Sequence, residues 1–279
     1  FYPDLVLGVE DKAYSRGYNV ILCNADGKKK EREYIEILHD QYVGGIIFAH
    51  LNIDADQVRM LGSMNIASVL IDNEIENVDL PCVTTDDVLG GYLATEHLIL
   101  LGHKGIALIH GSLKYNEQKQ KKRYQETFQF RIWNNRMKGY MDALDKYGIP
   151  VNYDYIVGAD ETEECSEVDI GYFAMRRLLK KSPKPTAIYA QNDLMAIGAI
   201  NAITEAGYNV PKDFSVVGYD GISVGDMIYP KLTTVDQPRY EIGSIATEVL
   251  INYIAKKEKQ NIQLEPLLVV KGTTQHPGR

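Results

Sequence analysis

Residues Gly221-Ile222-Ser223-Val224-Gly225 have G-x-S-x-G spacing. In hydrolases that spacing lifts a nucleophilic serine onto a sharp turn between a strand and a helix. The apolar run Phe214 to Val217 comes just before it, as such an elbow requires. The sequence after the serine does not fit, because Pro230 arrives within seven residues and leaves room only for a turn or a short helix. A hydrolase also needs a later acid and then a histidine, and the one late histidine is His276, three residues from the end. Ser223 therefore reads as a loop serine. The neighbouring Asp220, which closes Val216-Val217-Gly218-Tyr219-Asp220, becomes the residue of interest.

Other catalytic chemistry finds no support. The sequence has no GxGxxG, no Walker loop and no HExxH. The six histidines, His39, His50, His97, His103, His110 and His276, show no metal-ligand spacing. Cys23, Cys82 and Cys165 form no CxxC and read as small buried hydrophobes. No enzyme activity, cofactor or metal is expected.

What the chain does offer is a set of polar residues at the ends of apolar runs: Asn24, Asp26, His50, Asp72, His110, Asn192, Asp193 and Asp220. In open parallel sheets, ligands bind outside the carboxyl ends of the strands. Carboxylates accept hydrogen bonds from hydroxyls, and asparagine both donates and accepts. Such a set suits a neutral polyhydroxylated ligand such as a sugar. Taken singly, each residue could equally start a turn or cap the next helix, and Asp193 reads as a cap.

The elements that would position these groups alternate. A helix opens the chain over FYPDLVLGVEDKAYSRG. Strands are expected at 18–24, 45–49, 68–72, 105–111, 155–159, 186–190, 214–220 and 267–272. Helices are expected at 29–41, 54–63, 86–102, 134–147, 166–180, 193–206 and 239–257, with Asp86 as an N-cap and Gly102 just past a helix end. Helix-length crossovers imply parallel sheets covered on both faces. The count exceeds one small sheet, and Gly-Tyr-Asn-Val recurs at 17–20 and 207–210. The expected fold is α/β, with two similar doubly wound lobes. Because such lobes normally open with a strand, the leading helix reads as the start of a trimmed piece.

Composition agrees with a soluble domain. The 279 residues are 45% hydrophobic and 24% charged, with a formal net charge of −8. That balance gives no electrostatic footprint for nucleic acid or an anionic membrane. No apolar run reaches membrane-spanning length and no signal peptide is visible, so a cytoplasmic protein is expected. The lysine-rich segment 114–130 reads as a solvated excursion.

Several blocks carry a resemblance: GGYLATEHL (90–98) with LGHKGIALIHG (101–111), RMKGYMDAL (136–144), QNDLMAIGAINAITEAGYNVPKDFSVVGYD (191–220) and LTTVDQP (232–238). Together they resemble the effector-binding core of the lactose/galactose repressor family, which is related to periplasmic sugar-binding proteins. The resemblance implies a transcriptional regulator whose ligand binds between the lobes and controls operator DNA through a headpiece absent from this chain, along with the first core strand. It also implies a homodimer with no membrane role. By the same resemblance the lobes are 1–110 with 238–258 and 111–237 with 259–279, joined by crossover hinges. It assigns the ligand to Asp220, Arg136 (with Arg131 as fallback), Asn192, Asp72 and Gln237, with Tyr189 stacking on it and Phe1 and Tyr2 at the mouth of the cleft. The competing readings are a transporter's periplasmic sugar-binding protein and a Ser223 hydrolase.

Overall fold

The computed structural model describes residues 1–25, 28–49, 55–72, 80–111, 128–158, 166–256 and 258–278. In chain order its elements begin with α1 (Tyr2–Ser15), α2 (Lys28–Asp40), β1 (Gly45–Phe48), α3 (Ala55–Ser63), β2 (Ala67–Ile71) and β3 (Cys82–Thr85). Next come α4 (Asp87–Leu100), β4 (Ile106–Ile109), α5 (Phe128–Lys146), β5 (Ile156–Val157), α6 (Glu167–Leu178), β6 (Ala187–Ala190) and α7 (Asp193–Glu205). The chain closes with β7 (Ser215–Asp220), β8 (Thr233–Asp236), α8 (Arg239–Lys256), β9 (Ile262–Leu264) and β10 (Leu267–Val269).

These elements form two units, Phe1–Thr85 with Pro238–Leu264 and Asp86–Gln237 with Glu265–Arg279. The first holds a parallel sheet in the order β1-β2-β3-β9. Side chains alternate across a strand, and β2 shows it. Ala67, Val69 and Ile71 pack with Leu5, Ile242 and Ala246 from α1 and α8, while Leu70 packs with Ile35 and Leu61 from α2 and α3.

The second unit holds the order β10-β8-β7-β6-β4-β5, parallel except for β10 against β8. Here Ile109, Ile188 and Val216 face α6 and α7, and Leu108, Tyr189, Val217 and Tyr219 face α4 and α5. Each such side chain is fully buried, worth about 1.5–3 kcal/mol apiece for the aliphatic ones.

The unit boundary differs from the sequence expectation. Residues 86–110 belong with the second unit, because α4 packs on α5 and β4 lies between β5 and β6. Residues 259–264 belong with the first, because β9 pairs with β3.

Residues 18–24 form no strand. They leave Ile21 and Leu22 at 56% and 73% exposure, and β1 is the edge strand of its sheet. An apolar run becomes a strand only where a neighbour completes its ladder. The short strands β3, β8 and β9 were not anticipated, and α5 begins at Phe128, six residues before the expected start. Asp26, His50 and most of the 114–130 excursion lie outside the described residues.

Candidate functional site

Arg136 is brought to the site by the crossing of α4 and α5. A side-chain carbon at Gly139 would overlap the Val88 carbonyl, and one at Gly91 would overlap the Arg136 carbonyl. The two backbones touch because neither residue carries a side chain. That approach sets Asp87, in the first turn of α4, against Arg136. Nε of Arg136 donates to Asp87 Oδ1 at 2.8 Å, and one terminal nitrogen donates to the Gln191 carbonyl at 2.5 Å and to Asp220 Oδ1 at 3.3 Å. The guanidinium also stacks on the Tyr219 ring, 3.6 Å from its centroid. The Tyr219 hydroxyl donates to Asp87 Oδ1 at 3.1 Å.

Asp220 ends β7 with φ at +104°, a backbone conformation that non-glycine residues avoid and that Gly221 continues at +68°. Gln237 Nε2 donates to its Oδ1 at 2.8 Å. The Asp220 side chain keeps 20% exposure, against 7% for Arg136. Burial pushes the Asp220 carboxyl above its ordinary range, and Arg136 and Gln237 offset this only in part. Burial also opposes the charge on Arg136, but Asp87 and Asp220 more than compensate and hold the guanidinium above its usual value.

Asn192 caps α7, its Oδ1 accepting from the Met195 N–H at 2.8 Å. The cap is thus Asn192 and not Asp193. The buried Asp193 instead accepts from the Ile222 N–H and from the Thr234 hydroxyl. Burial raises the Glu167 carboxyl and Asp220 adds to that shift, while Asn192 and Arg136 offset it in part.

Of the expected site residues, Arg136 and Gln237 both bond to Asp220, and Asn192 directly follows Gln191, whose carbonyl accepts from Arg136. Tyr189 does not offer its ring to a ligand. It is fully buried among Leu108, Val217 and Tyr219, because its place on β6 turns it toward α4 and α5. Asp72, Phe1 and Tyr2 belong to the first unit. Asp72 sits just past β2 at φ +56° and accepts from the Thr85 N–H at 3.0 Å. Phe1 packs on the core of α1, α8 and β2 and meets Tyr2 edge to face at 5.4 Å.

The sequence reading missed Asp87, Glu167 and Gln191. Asp87 had one signal: it lies a turn before Gly91, Ala94 and Leu98 on the buried face of α4. Glu167 lies inside the Ser166–Asp169 capping box and looks like an ordinary first-turn acid. Ser223 opens an exposed 3₁₀ turn, Ser223–Asp226, so no helix follows it as a nucleophile elbow requires. No group of histidine, cysteine and carboxylate side chains among the described residues could hold a metal.

Residues 1–266 match the family described as periplasmic binding proteins and the sugar binding domain of the LacI family. The chain belongs to that family. Catabolite control protein A of Priestia megaterium is 35% identical over 258 residues, 92% of this chain and 72% of that protein. The transcriptional regulator RegA of Clostridium saccharobutylicum is 33% identical over 277 residues, 98% and 78% of the two chains. Among solved structures, a LacI family transcriptional regulator from Enterococcus faecium with bound ribose aligns with a TM-score of 0.80 at 29% identity, covering 99% of this chain and 94% of that one. The LacI-family core described here is the effector-binding core of a transcriptional regulator, not that of a transporter, and not an enzyme. None of the described helices is long and apolar enough to cross a membrane.

Proposed function

We propose that this LacI-family core senses a sugar through Asp220, Arg136, Asn192 and Gln237 of the second unit. The observation that carries the reading is the Asp220 carboxylate. It is held at a strand end in a strained conformation, fixed by Gln237 and Arg136, and still partly exposed. A carboxylate so fixed is suited to accept two hydroxyl hydrogen bonds from one ligand. The ribose-bound relative supports a sugar.

Effector binding shifts a two-state equilibrium only by its differential affinity for the states. In the full protein that shift would change how a headpiece grips operator DNA in the cytoplasm. A homodimer would match a palindromic operator. An exposed apolar patch supports the dimer. Met227 and Tyr229 are 77% and 98% exposed, and Tyr229 lines a surface hollow with Val210, Pro211 and Gly272.

Calorimetry on Asp220→Ala tests the sensor. Losing a hydrogen bond to a charged group costs about 1.5–3 kcal/mol, so effector affinity should drop roughly 10- to 150-fold. Unchanged affinity with an intact fold removes Asp220 from the site.

A further inference from the structure

Asp220 holds φ at +104° and Gly221 follows at +68°, so the chain turns sharply where β7 ends. An aspartate in that region persists only where its surroundings over-determine the backbone. Upstream, the β7–β8 ladder fixes the chain as far as the pairing of Asp220 with Asp236. Downstream, the tie is the Ile222 N–H, which donates to Asp193 Oδ2 at 2.8 Å.

Asp193 is well placed to make that tie. It is the first residue of α7 and fully buried, and the helix N-terminus favours its negative charge. Its other oxygen, Oδ1, accepts from the hydroxyl of Thr234 on β8 at 2.6 Å. A side-chain carbon at Gly218 would overlap that oxygen, so the glycine on β7 is what lets the carboxylate lie against the strand. One carboxylate thus ties together α7, β8 and the turn beyond Asp220. The Asp220 side chain has separate anchors, Arg136 and Gln237. Those two hold its carboxylate, and Asp193 holds the backbone that carries it.

We propose that Asp193 is a positioning residue of the sensor: it clamps the Asp220–Ile222 turn in the conformation that presents the Asp220 carboxylate, and no ligand touches it. The proposal rests on the sugar-sensor reading and adds to it how Asp220 is held. It also gives the G-x-S-x-G stretch a role. The group that matters there is the main-chain N–H of Ile222, not the hydroxyl of Ser223.

The test titrates ribose, glucose and cellobiose into the unaltered protein by calorimetry and carries the tightest-binding sugar forward. Asp193→Ala should weaken its binding by about tenfold. Asp193→Asn should recover most of that loss, because its side-chain oxygen still accepts from the Ile222 N–H and its amide can donate to Thr234. In an Asp220→Ala background, Asp193→Ala should cost nothing further, since a residue that acts through Asp220 has nothing left to position. Without ligand, amide exchange followed by NMR should quicken at Ile222 in Asp193→Ala relative to Val216, whose N–H donates to the Thr273 carbonyl. Thermal melting shows whether each variant is folded. Thr234→Val, which removes one of the two donors to the carboxylate, takes the place of Asp193→Ala if that protein does not fold.

Unchanged affinity in a folded Asp193→Ala protein overturns the proposal. So does a loss of equal size with and without the Asp220 side chain, which makes Asp193 a general structural residue. Both results leave the sensor reading standing. Exchange at Ile222 that keeps pace with Val216 overturns the clamp itself. No binding by any of the sugars overturns the sugar-sensor reading, and the exchange data then decide by themselves whether Asp193 holds the turn.

Discussion

Arg136 Nε lies 2.8 Å from Asp87 Oδ1, with the two side chains 7% and 8% exposed. Forty-nine residues separate them in the chain. Removing one partner of a buried ion pair strands the other charge, at a cost of about 3–5 kcal/mol. Asp87→Ala should therefore lose stability of that order in urea unfolding. Asp220→Ala should lose less, because the Asp220 side chain is 20% exposed and water can replace it. Equal losses would mean that Asp87 is not the main partner of Arg136.

Gly139→Ala addresses how the pair is assembled. The new methyl would meet the Val88 carbonyl and the Tyr92 nitrogen, both main-chain atoms that cannot swing aside. The helices must separate, at a cost of about 1–3 kcal/mol, and Asp87 moves away from Arg136. Both stability and effector affinity should fall. Gly62→Ala in α3 is the control, since nothing lies within 4 Å of a side-chain carbon there. Alanine is the better helix former by about 0.5–1 kcal/mol, so that variant should hold or gain stability. A Gly139→Ala protein as stable as the Gly62 control would show that the crossing does not need glycine.

The contrast between those glycines shows what the sequence makes readable. The 3.6-residue periodicity marks α4, α5, α6 and α7, and the apolar runs mark β2, β6 and β7, because each buries a continuous face against its neighbours. Asp220 and Asn192 are readable because strand ends are where open sheets place ligand groups. Asp87 against Arg136 is not, because their meeting depends on where two helices cross. Local pattern fails in the same way at residues 18–24, whose apolar character favours a strand that only a flanking ladder could complete. Tyr189 is a third case. Its position on β6 was readable, but the face it points to depends on the strand's register in the sheet. The repeated Gly-Tyr-Asn-Val holds where it is local: Gly17 and Gly207 both turn the chain out of a helix, with φ of +80° and +82°.

Tyr229 is 98% exposed beside Met227 at 77%. This is the surface on which the proposed dimer would close. Tyr229→Lys should convert the proposed dimer to a monomer in light scattering, because the substitution sets two like charges in an apolar contact. Stability at concentrations where both proteins are monomeric should change by no more than about 0.5 kcal/mol. A variant that remains dimeric would place the interface elsewhere.

Acid should destabilise the second unit through its buried histidines. Burial pushes the His110 imidazole down to about 4, while its contact with the Gly111 carbonyl at 2.5 Å works against that shift and Arg177 adds to it. The ring packs against Gly158 and is 7% exposed. Unfolded, it titrates near 6.5. Between pH 6.5 and about 4 the unfolded chain binds the extra proton, so stability falls as pH falls through that window. The stabilisation is fully present above pH 6.5 and amounts to about 3 kcal/mol for His110 alone. His97 and His103 are lowered too, again chiefly by burial, and act in the same direction. Urea unfolding at pH 7 and pH 4.5 should show a smaller difference for His110→Asn than for the unaltered protein, since asparagine cannot titrate. Identical differences would mean that the proton is taken up elsewhere.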